Sequence, residues 1–459
     1  MSKANLDNIK GKKILIVGMA RSGIAAAHVL HGLGAQISVQ DSKKREELDG
    51  DLLRFLDDNG IECFFAETPD HMGMFDMAVL SPGVPPDLEF INRGRMAGTE
   101  IIGELEIAYR VSSGNFIAIT GTNGKTTTTT LVGEMFKNAG KKTCVTGNIG
   151  FAAINDAIAS EEDTWLVTEV SSFQLQTIKY FKPVVSAILN ITEDHMDRHK
   201  TMENYAETKA RVFENQREDG YTVINYDDKF CYSYAEGAKA TVVPFSRLSE
   251  LEFGAFVKDG KIVIKEKDGN IVEFCKPEEL IIPGSHNLEN ALAATAIAYF
   301  AGLPADAITE TLRTFQGVEH RIEFVDEVDG VRFVNDSKGT NPDASIKAVQ
   351  SQKGGIILVA GGYDKNSSFD DLINAFDGKV KHMVLLGTTA QQIKETGERL
   401  GFTDSIICRD MEECVSKGFE LAEPGDTVLL SPACASWDMY KCFEDRGDHF
   451  KECVRRLKK

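Results

Sequence analysis

The chain has 459 residues, which corresponds to about three domains at roughly 150 residues each. Hydrophobic residues make up 42% and charged residues 26%, and this ordinary globular mixture excludes disordered and fibrous classes. The formal net charge of −19 argues against a protein that coats nucleic acid, because such proteins bind phosphates through lysine and arginine. A small anionic ligand stays possible, since loops and helix N-termini bind anions locally.

The nine cysteines show neither a CxxC pair nor a metal-ligand spacing, so we interpret them as reduced thiols of a cytosolic protein. The first apolar run, at 14–17, is too short for the core of a secretory signal and indicates a buried strand. No apolar stretch approaches the ~20 residues that span a bilayer. We therefore expect a cytoplasmic protein without membrane insertion.

In the first hundred residues, apolar runs at 14–17, 36–40 and 77–80 alternate with helical patterns. This alternation predicts a parallel sheet with helices on both faces. The first strand leads into GMARSG at 18–23, and the second ends at Asp41. The pattern is similar to the GxGxxG dinucleotide fingerprint, although Ala20 replaces the second glycine. Taken alone, it would indicate an NAD-binding domain.

After a linker-like segment at 112–115, a strand at 116–119 leads into TGTNGKTT at 120–127. Glycines let backbone N–H groups converge on a phosphate, Lys125 adds a positive charge, and the Thr126 hydroxyl can bind a metal ion. The general signature begins with a glycine where this chain has Ile119. An ordinary strand-to-helix turn is the alternative interpretation.

Two further strands, at 164–170 and 184–191, carry acids at or beyond their ends, Glu169 and the Glu193-Asp194 pair next to His195. Because parallel strands direct their carboxyl ends to one crevice, we expect these groups to meet the phosphate loop. Carboxylate and hydroxyl oxygens suit Mg²⁺. Alternatively, the acids are solvated and His195 forms a structural hydrogen bond.

Residues 221–283 are rich in β and turn patterns, and the segment 283–285 opens a long alanine-rich helix. A third region of alternating strands and helices begins near Val318. Its strands are predicted at 355–360, 381–386 and 427–430.

Seven segments together resemble the ATP-dependent Mur ligases. They are TGTNGKTT at 120–127, EVSSFQL at 169–175, NITEDHMD at 190–197, GSHNLENA at 284–291, VEHR at 318–321, NDSKGTN at 335–341 and LSPACASWD at 430–438. The resemblance implies an α/β fold of three domains: a Rossmann-like UDP-substrate-binding domain at 1–103, a central P-loop ATP-binding α/β domain at 104–317, and a C-terminal Rossmann-like amino-acid-binding domain at 318–459.

The resemblance also implies an ATP-dependent ligase that forms an amide bond in peptidoglycan precursor synthesis. The sequence is most similar to members that add D-glutamate to UDP-N-acetylmuramoyl-L-alanine. In such enzymes ATP phosphorylates the alanyl carboxylate, and the amine of D-glutamate attacks the acyl phosphate. No side-chain nucleophile is needed, so catalysis is positioning and charge stabilisation.

The resemblance assigns roles residue by residue. ATP contacts are implied at Gly121, Thr122, Asn123, Gly124, Lys125, Thr126, Thr127, Asn290, His320, Arg321, Asp336 and Lys338. UDP-substrate contacts are implied at Gly18, Arg21, Ser22, Asp41, Ser42, Lys43, Ser81, Gly83 and Asn148. D-glutamate contacts are implied at Thr340, Lys365, Ser436 and Phe443.

Two Mg²⁺ sites are implied, with Thr126 and Glu169 at the first and His195 and Lys209 at the second. Lys209 matches the lysine that is carbamylated in this family, a change that turns a cation into an anionic metal ligand. Without the resemblance, Lys209 would be expected to be a solvated helix lysine. Lys125, Glu169, His195 and Lys209 are the implied catalytic residues.

Two rival hypotheses stay open. A sibling ligase would add another amino acid or extend folate with glutamate. A nicotinamide-binding dehydrogenase or regulator would use the first domain and leave Lys125, Glu169 and His195 without a role. We expect a monomer that binds small molecules and no nucleic acid.

Overall fold

The computed structural model describes residues 8–149, 152–282, 284–363 and 367–458. They form three sheets of five, nine and six strands, flanked by helices. Pro283, predicted to open the alanine-rich helix, lies outside the described residues. Within the described part of the chain, no helix combines the length and the apolar character needed to cross a bilayer.

The N-terminal sheet is parallel, with strand order β3-β2-β1-β4-β5. Its strands are β1 Lys13–Val17, β2 Gln36–Asp41, β3 Glu62–Phe65, β4 Met77–Leu80 and β5 Glu100–Gly103. Its helices are α1 Arg21–Gly32, α2 Gly50–Asp58, α3 Glu89–Met96 and α4 Glu104–Val111. The strand order reverses between β1 and β4, and ligands bind at such a switch point in open α/β sheets.

The central sheet has the order β14-β13-β12-β11-β10-β9-β6-β8-β7. Its strands are β6 Asn115–Thr120, β7 Thr143–Gly147, β8 Trp165–Glu169, β9 Val185–Ile188, β10 Tyr221–Asn225, β11 Thr241–Ser246, β12 Gly254–Lys258, β13 Lys261–Lys265 and β14 Ile271–Glu273. Its helices are α5 Lys125–Asn138, α6 Ala153–Ala159, α7 Ser172–Leu175, α8 Met196–His199, α9 Met202–Ala210, α10 Lys229–Ser233, α11 Ser285–Phe300 and α12 Ala305–Thr314. Strands β6 to β11 are parallel to one another, and β12 pairs in parallel with β11. Strands β12, β13 and β14 form an antiparallel meander.

Strand β6 is buried along almost its whole length, as expected for a central parallel strand. In register, Ile119 on β6 pairs with Glu169 on β8, and Thr120 pairs with Ile188 on β9. The ends of three strands therefore surround the turn into α5. That helix contains five consecutive threonines, poor helix formers, so its packing against α11 and the sheet stabilises it.

The third sheet has the order β15-β16-β20-β17-β18-β19, with only β15 antiparallel. Its strands are β15 Glu323–Val328, β16 Val331–Asn335, β17 Ile356–Ala360, β18 Val380–Leu385, β19 Ser405–Ile407 and β20 Thr427–Leu430. Its helices are α13 Pro342–Ser351, α14 Asp370–Asn374, α15 Ala390–Arg399, α16 Met411–Leu421 and α17 Phe443–Arg456.

The chain divides into two compact units. The first unit contains the N-terminal and central sheets and ends at Phe315. The second unit begins at Gln316 and contains the third sheet, and Ile282 and Gly284 also belong to it. Within the first unit, the rings of Tyr109, Phe116 and Phe181 pack edge to face at centroid distances of 5.5 to 5.8 Å. This aromatic cluster joins α4 to the central sheet.

Candidate functional site

The turn between β6 and α5 is held by hydrogen bonds to the segment after β9. The backbone N–H of Asn123 donates to Asn190 Oδ1 at 2.8 Å, and Asn190 Nδ2 donates to the carbonyl of Asn123 at 3.1 Å. Gly124 has φ +82°, and an added Cβ would lie 2.2 Å from Asn290 Oδ1. The turn is therefore a preformed loop in which glycine is required.

Two lysines converge on one carbonyl of this loop. Lys125 Nζ donates to the carbonyls of Gly121 at 2.9 Å and Thr122 at 2.7 Å, and Lys209 Nζ donates to Gly121 at 2.9 Å. The expectation that Lys209 is solvated is wrong, since the residue is only 1% exposed. Burial, and then the charge of Lys125, hold the pKa of Lys209 well below its ordinary value. A neutral amine at this position can act as a nucleophile.

Glu169 ends β8 beside the loop and is 2% exposed. Its Oε1 accepts a hydrogen bond from Asn148 Nδ2 at 2.9 Å, whereas Oε2 is buried without a hydrogen-bond partner among the described residues. The hydroxyl of Thr120 is likewise buried and unpartnered within that part of the chain. Thr126, the second residue of α5, is buried too. An orphaned carboxylate oxygen next to a phosphate loop fits the oxygen ligands of a divalent cation.

His195 precedes α8 with a left-handed backbone, φ +56°. Its side chain is 47% exposed, and its Nε2 lies 3.5 Å from Asp194 Oδ2. The neighbouring His199 is buried, with Nε2 2.9 Å from the hydroxyl of Ser172. His199 and Ser172 thus form a buried hydrogen bond beside the site, and the role of His195 as a metal ligand stays a prediction.

Asn290 on α11 packs directly against the loop. Its Oδ1 accepts from the Thr128 hydroxyl at 3.3 Å, and its Nδ2 donates to Asn287 Oδ1 at 3.2 Å. These contacts make Asn290 a support of the phosphate loop. The contact of Asn290 with adenine stays a prediction.

A cleft of about 510 Å³ lies at the switch point of the N-terminal sheet. Four of the predicted UDP-substrate residues line it: Gly18, Asp41, Ser42 and Gly83. The others, Arg21, Ser22, Lys43, Ser81 and Asn148, are not part of its lining. Sequence reasoning missed the apolar wall formed by Val84, Pro85, Leu88 and Phe90 and the cation of Arg93, because they lie in a loop and a helix without a motif.

Asp41 and Ser81 shape this cleft through the backbone. Asp41 accepts from the N–H groups of Met19 at 2.6 Å and Lys43 at 2.9 Å. The Ser81 hydroxyl donates to the carbonyl of Gly18 at 2.7 Å. Both side chains therefore hold the glycine-rich turn in place.

In the second unit, the predicted ATP residues lie around the end of β16. Asp336 accepts from the Ser431 hydroxyl at 2.6 Å, and its full burial raises its pKa to about 6. His320 has φ +61°, and its Nδ1 lies 3.0 Å from Asn335 Nδ2. The ammonium of Lys338 lies 5.4 Å from the ring centre of Phe443.

The predicted D-glutamate residues are only partly placed. Phe443 begins α17, Ser436 is buried, and Thr340 follows Lys338 by two residues. Lys365 lies outside the described residues. Arg321, the remaining predicted ATP residue, is half-buried, and its charge acts to lower the pKa of Asp336.

Arg446 is a residue that the sequence did not single out. It is 1% exposed and donates to the carbonyls of Cys434 at 3.1 Å and Ser337 at 2.8 Å. Burial lowers its pKa to about 10. The guanidinium thus joins the loops that carry Lys338 and Ser436. Its motif, EDRG in a charged helix, is typical of a solvated surface and offered no signal.

The fold is α/β, and its central sheet carries a glycine-containing turn between a strand and a helix, the kind of turn that can bind phosphate. The family model of the Mur ligase middle domain matches residues 119–298, and that of the Mur ligase glutamate ligase domain matches residues 320–434. A UDP-N-acetylmuramoylalanine–D-glutamate ligase from Thermoanaerobacter sp. is 52% identical over 454 residues, covering 98% of this chain and 100% of the relative. The chain belongs to the Mur ligase family, as the sequence motifs predicted.

Solved structures share the fold at low identity. MurC, the UDP-N-acetylmuramate-alanine ligase of Thermotoga maritima, is 18% identical with a TM-score of 0.61, covering 97% of this chain and 100% of its own. A MurF ligase from Thermotoga maritima in complex with ADP is 15% identical with a TM-score of 0.58 and full coverage of both chains, 100% each. The predicted α/β fold class is confirmed.

Proposed function

We propose that this chain adds D-glutamate to UDP-N-acetylmuramoyl-L-alanine in an ATP-dependent step of peptidoglycan precursor synthesis. The observation that carries the proposal is the 52% identity, across 98% of the chain, to a ligase named for that reaction. The anchored phosphate loop is consistent with ATP as the energy source, and a relative of the same fold was solved with ADP.

Residues Gly121 to Thr127 would cradle the ATP phosphates, with Lys125 as the charged group. The Lys125 ammonium donates hydrogen bonds to the carbonyls of Gly121 at 2.9 Å and Thr122 at 2.7 Å. To contact a bound phosphate, its side chain would turn away from these carbonyls. Asn290 would contact adenine, and His320, Arg321, Asp336 and Lys338 would complete the nucleotide site.

The donor set fits Mg²⁺. Thr126 and Glu169 would hold one ion, and the orphaned Glu169 Oε2 supports this assignment. His195 and carbamylated Lys209 would hold a second. When bound, Mg²⁺ neutralises charge on the transferring phosphoryl group.

The surroundings of Lys209 support carbamylation. The neutral amine attacks CO₂, a nitrogen–carbon bond forms, and the released proton leaves to solvent. Protonation of this amine is disfavoured by burial and by Lys125, and the carbamate would in turn be an anion beside that cation. The positive charge of Lys125 thus favours the neutral, nucleophilic amine of Lys209 before the reaction and the anionic carbamate after it.

The reaction requires no covalent bond to the protein. An oxygen of the alanyl carboxylate attacks the γ-phosphorus and ADP leaves. The amine of D-glutamate then attacks the acyl carbon, and inorganic phosphate leaves. Lys125 would stabilise the transferring phosphoryl group, and the burial around Glu169 and Lys209 would exclude water from it.

Substrate sites and domains complete the proposal. The N-terminal cleft would bind the UDP moiety at Gly18, Asp41, Ser42 and Gly83. The other predicted substrate contacts are Arg21, Ser22, Lys43, Ser81 and Asn148, outside the cleft lining. D-glutamate would bind at Thr340, Lys365, Ser436 and Phe443. We further propose domains at 1–103, 104–317 and 318–459, and a cytoplasmic monomer.

Phosphate release with UDP-N-acetylmuramoyl-L-alanine, ATP and a panel of amino acids tests the function. D-Glutamate should give the highest rate, and the product should carry one added glutamate by mass. Faster release with another amino acid would identify a sibling ligase instead. Turnover of an NAD-linked substrate without ATP would identify a dehydrogenase.

A further inference from the structure

The guanidinium of Arg198 connects the two sheets of the first unit. Its Nη1 donates to the carbonyl of Gly83 at 3.2 Å and its Nη2 to that of Val84 at 3.0 Å. On the other side, Nε and Nη2 donate to Gln176 Oε1 at 3.1 and 2.8 Å. The guanidinium carbon also lies 4.7 Å from the ring centre of Phe173. A planar fork is needed to satisfy all these partners at once.

The first two partners form a wall of the N-terminal cleft. Gly83 and Val84 both line it. The Val84 N–H closes a turn onto the Ser81 carbonyl at 2.9 Å, and the Val84 side chain packs against Gly18, where an added Cβ would lie 2.8 Å from it. A ligand that presses on this wall therefore acts on the two carbonyls that Arg198 holds.

At its other end, Arg198 belongs to the short helix that follows His195. This helix, Met196–His199, is bounded by two non-glycine residues with positive φ, His195 at +56° and Lys200 at +71°. Left-handed residues at both ends are unfavourable and persist only when tertiary contacts hold them. Arg198 supplies such contacts by binding the loop that follows β4 of the N-terminal sheet.

One aromatic ring relates Arg198 to His195. The Phe173 ring, which makes the cation–π contact with the Arg198 guanidinium, also lies 4.8 Å from the His195 ring, centre to centre. It stacks on His199 as well, at 5.7 Å and an interplanar angle of 11°. A shift of Arg198 is therefore transmitted to the imidazole of His195 through a shared ring and through three residues of backbone.

We propose that Arg198 is a positioning residue that couples occupation of the N-terminal cleft by the UDP-sugar to the placement of His195 at the phosphate loop. The inference rests on the proposed function, which assigns the UDP moiety to the cleft and Mg²⁺ to His195. Because coupling between two sites is reciprocal, each ligand should tighten the binding of the other.

Titration calorimetry measures the coupling directly. The dissociation constant of UDP-N-acetylmuramoyl-L-alanine is determined in EDTA, and again with Mg²⁺ and a non-hydrolysable ATP analogue. For the wild-type chain we expect the second value to be lower by about 5-fold or more, the usual lower range of such coupling. The coupling ratio is the dissociation constant in EDTA divided by the dissociation constant with Mg²⁺ and the ATP analogue. Arg198→Lys keeps the charge but loses the planar fork of donors, so this ratio should fall close to one.

Arg211→Lys is the matched control. The Arg211 guanidinium donates to the carbonyls of Leu175, Gln176 and Ile178 at 2.7 to 2.8 Å, so it holds the same segment without reaching the cleft. Its replacement should leave the ratio at the wild-type value. An equal loss in both variants would show that general loosening, rather than a link to the cleft, explains the effect.

Gln176→Leu provides a second variant if Arg198→Lys is poorly folded by circular dichroism, since it removes the acceptor and keeps the arginine. It too should lower the ratio. A wild-type ratio in both variants would overturn the coupling while ligase activity with D-glutamate stands. Failure of the wild-type chain to bind UDP-N-acetylmuramoyl-L-alanine would overturn the proposed function, and the coupling with it.

Discussion

At the scale of single residues, Lys209 illustrates how position decides chemistry. Its ammonium would share the Gly121 carbonyl with Lys125 in a space without solvent, which favours the neutral amine. Lys209→Ala removes the proposed carbamate, so we expect the ligase rate to fall by about 10² or more and a small carboxylate such as acetate to restore part of it.

The control is Lys229→Ala, which removes an exposed lysine from α10 and should leave the rate unchanged. Mass spectrometry of wild-type protein in bicarbonate should detect the added mass of CO₂ at Lys209. If neither that mass nor a bicarbonate dependence of the rate is found, Lys209 is not carbamylated.

Asp336 gives a pH dependence of stability. Burial raises its pKa from the ordinary 3.8 to about 6, so the folded state holds the proton more tightly than the unfolded state. This contribution is fully present below pH 4 and is lost as the pH rises toward 6, by about 3 kcal/mol at most. Asp336→Asn should flatten that part of the pH profile.

The chain has two tryptophans, Trp165 in the first unit and Trp437 in the second. In a Trp165→Phe background, urea unfolding followed by Trp437 fluorescence between pH 4 and 7 reports on the unit that contains Asp336. Equal slopes of unfolding free energy against pH with Asp or Asn at 336 would contradict the assigned pKa.

These residues also show how far sequence reasoning reaches. Glu169 was identifiable because it ends an apolar strand in the same parallel sheet as the phosphate loop. The burial of Lys209 was not, since α9 is too polar to reveal which face is covered, and only the family motif singled it out. Arg446 was missed because its carbonyl partners, at Ser337, Cys434 and Ala435, lie in loops whose positions around α17 are set by the tertiary fold.

At the scale of elements, the loop and α5 depend on one glycine. Gly124→Ala introduces a Cβ at a residue with left-handed backbone. This Cβ would lie 2.2 Å from Oδ1 of Asn290, which is on helix α11. We expect the dissociation constant of a fluorescent ATP analogue to rise by about 10-fold or more and the protein to lose roughly 1–3 kcal/mol of stability.

Gly140→Ala is a matched control just beyond the other end of the same helix. Its φ is +71°, and no atom lies within 4 Å of an added Cβ. It has the backbone strain without the collision, so stability should fall while nucleotide affinity is kept. Similar losses of affinity in both variants would show that the contact with Asn290 does not matter.

Elements differ in how visible they are in the sequence. The buried strands β1, β4, β6, β8, β17 and β20 were predicted from short apolar runs. The strand predicted at 184–191 ends earlier, at Ile188, because Asn190 turns away to bind the phosphate loop. Short edge strands such as β3 and β19 are partly exposed and alternate weakly, so their pattern gives no clear signal.

At the scale of the whole molecule, the net charge of −19 is unexpected for a protein whose three proposed substrates, ATP, the UDP-sugar and D-glutamate, are all anionic. Long-range repulsion is screened beyond about 8 Å at physiological salt, so binding is decided by local groups. The phosphate loop has Lys125 with the N-terminus of α5, and the cleft lining has Arg93, whose guanidinium lies 3.4 Å from Glu89. The global charge therefore argues against polyanionic partners such as nucleic acids, and it is compatible with small nucleotides.

The division into two units makes a last prediction, because a ligand stabilises only what it binds. UDP-N-acetylmuramoyl-L-alanine at 100 times its dissociation constant should stabilise the first unit by about 2.7 kcal/mol and leave the second unchanged. Trp437→Phe leaves Trp165 to report on the first unit, and Trp165→Phe leaves Trp437 for the second. A shift of the urea midpoint for Trp165 alone is expected, because the cleft belongs wholly to the first unit. A shift for Trp437 alone would move the UDP site to the second unit, and equal shifts for both would mean that the two units unfold as one.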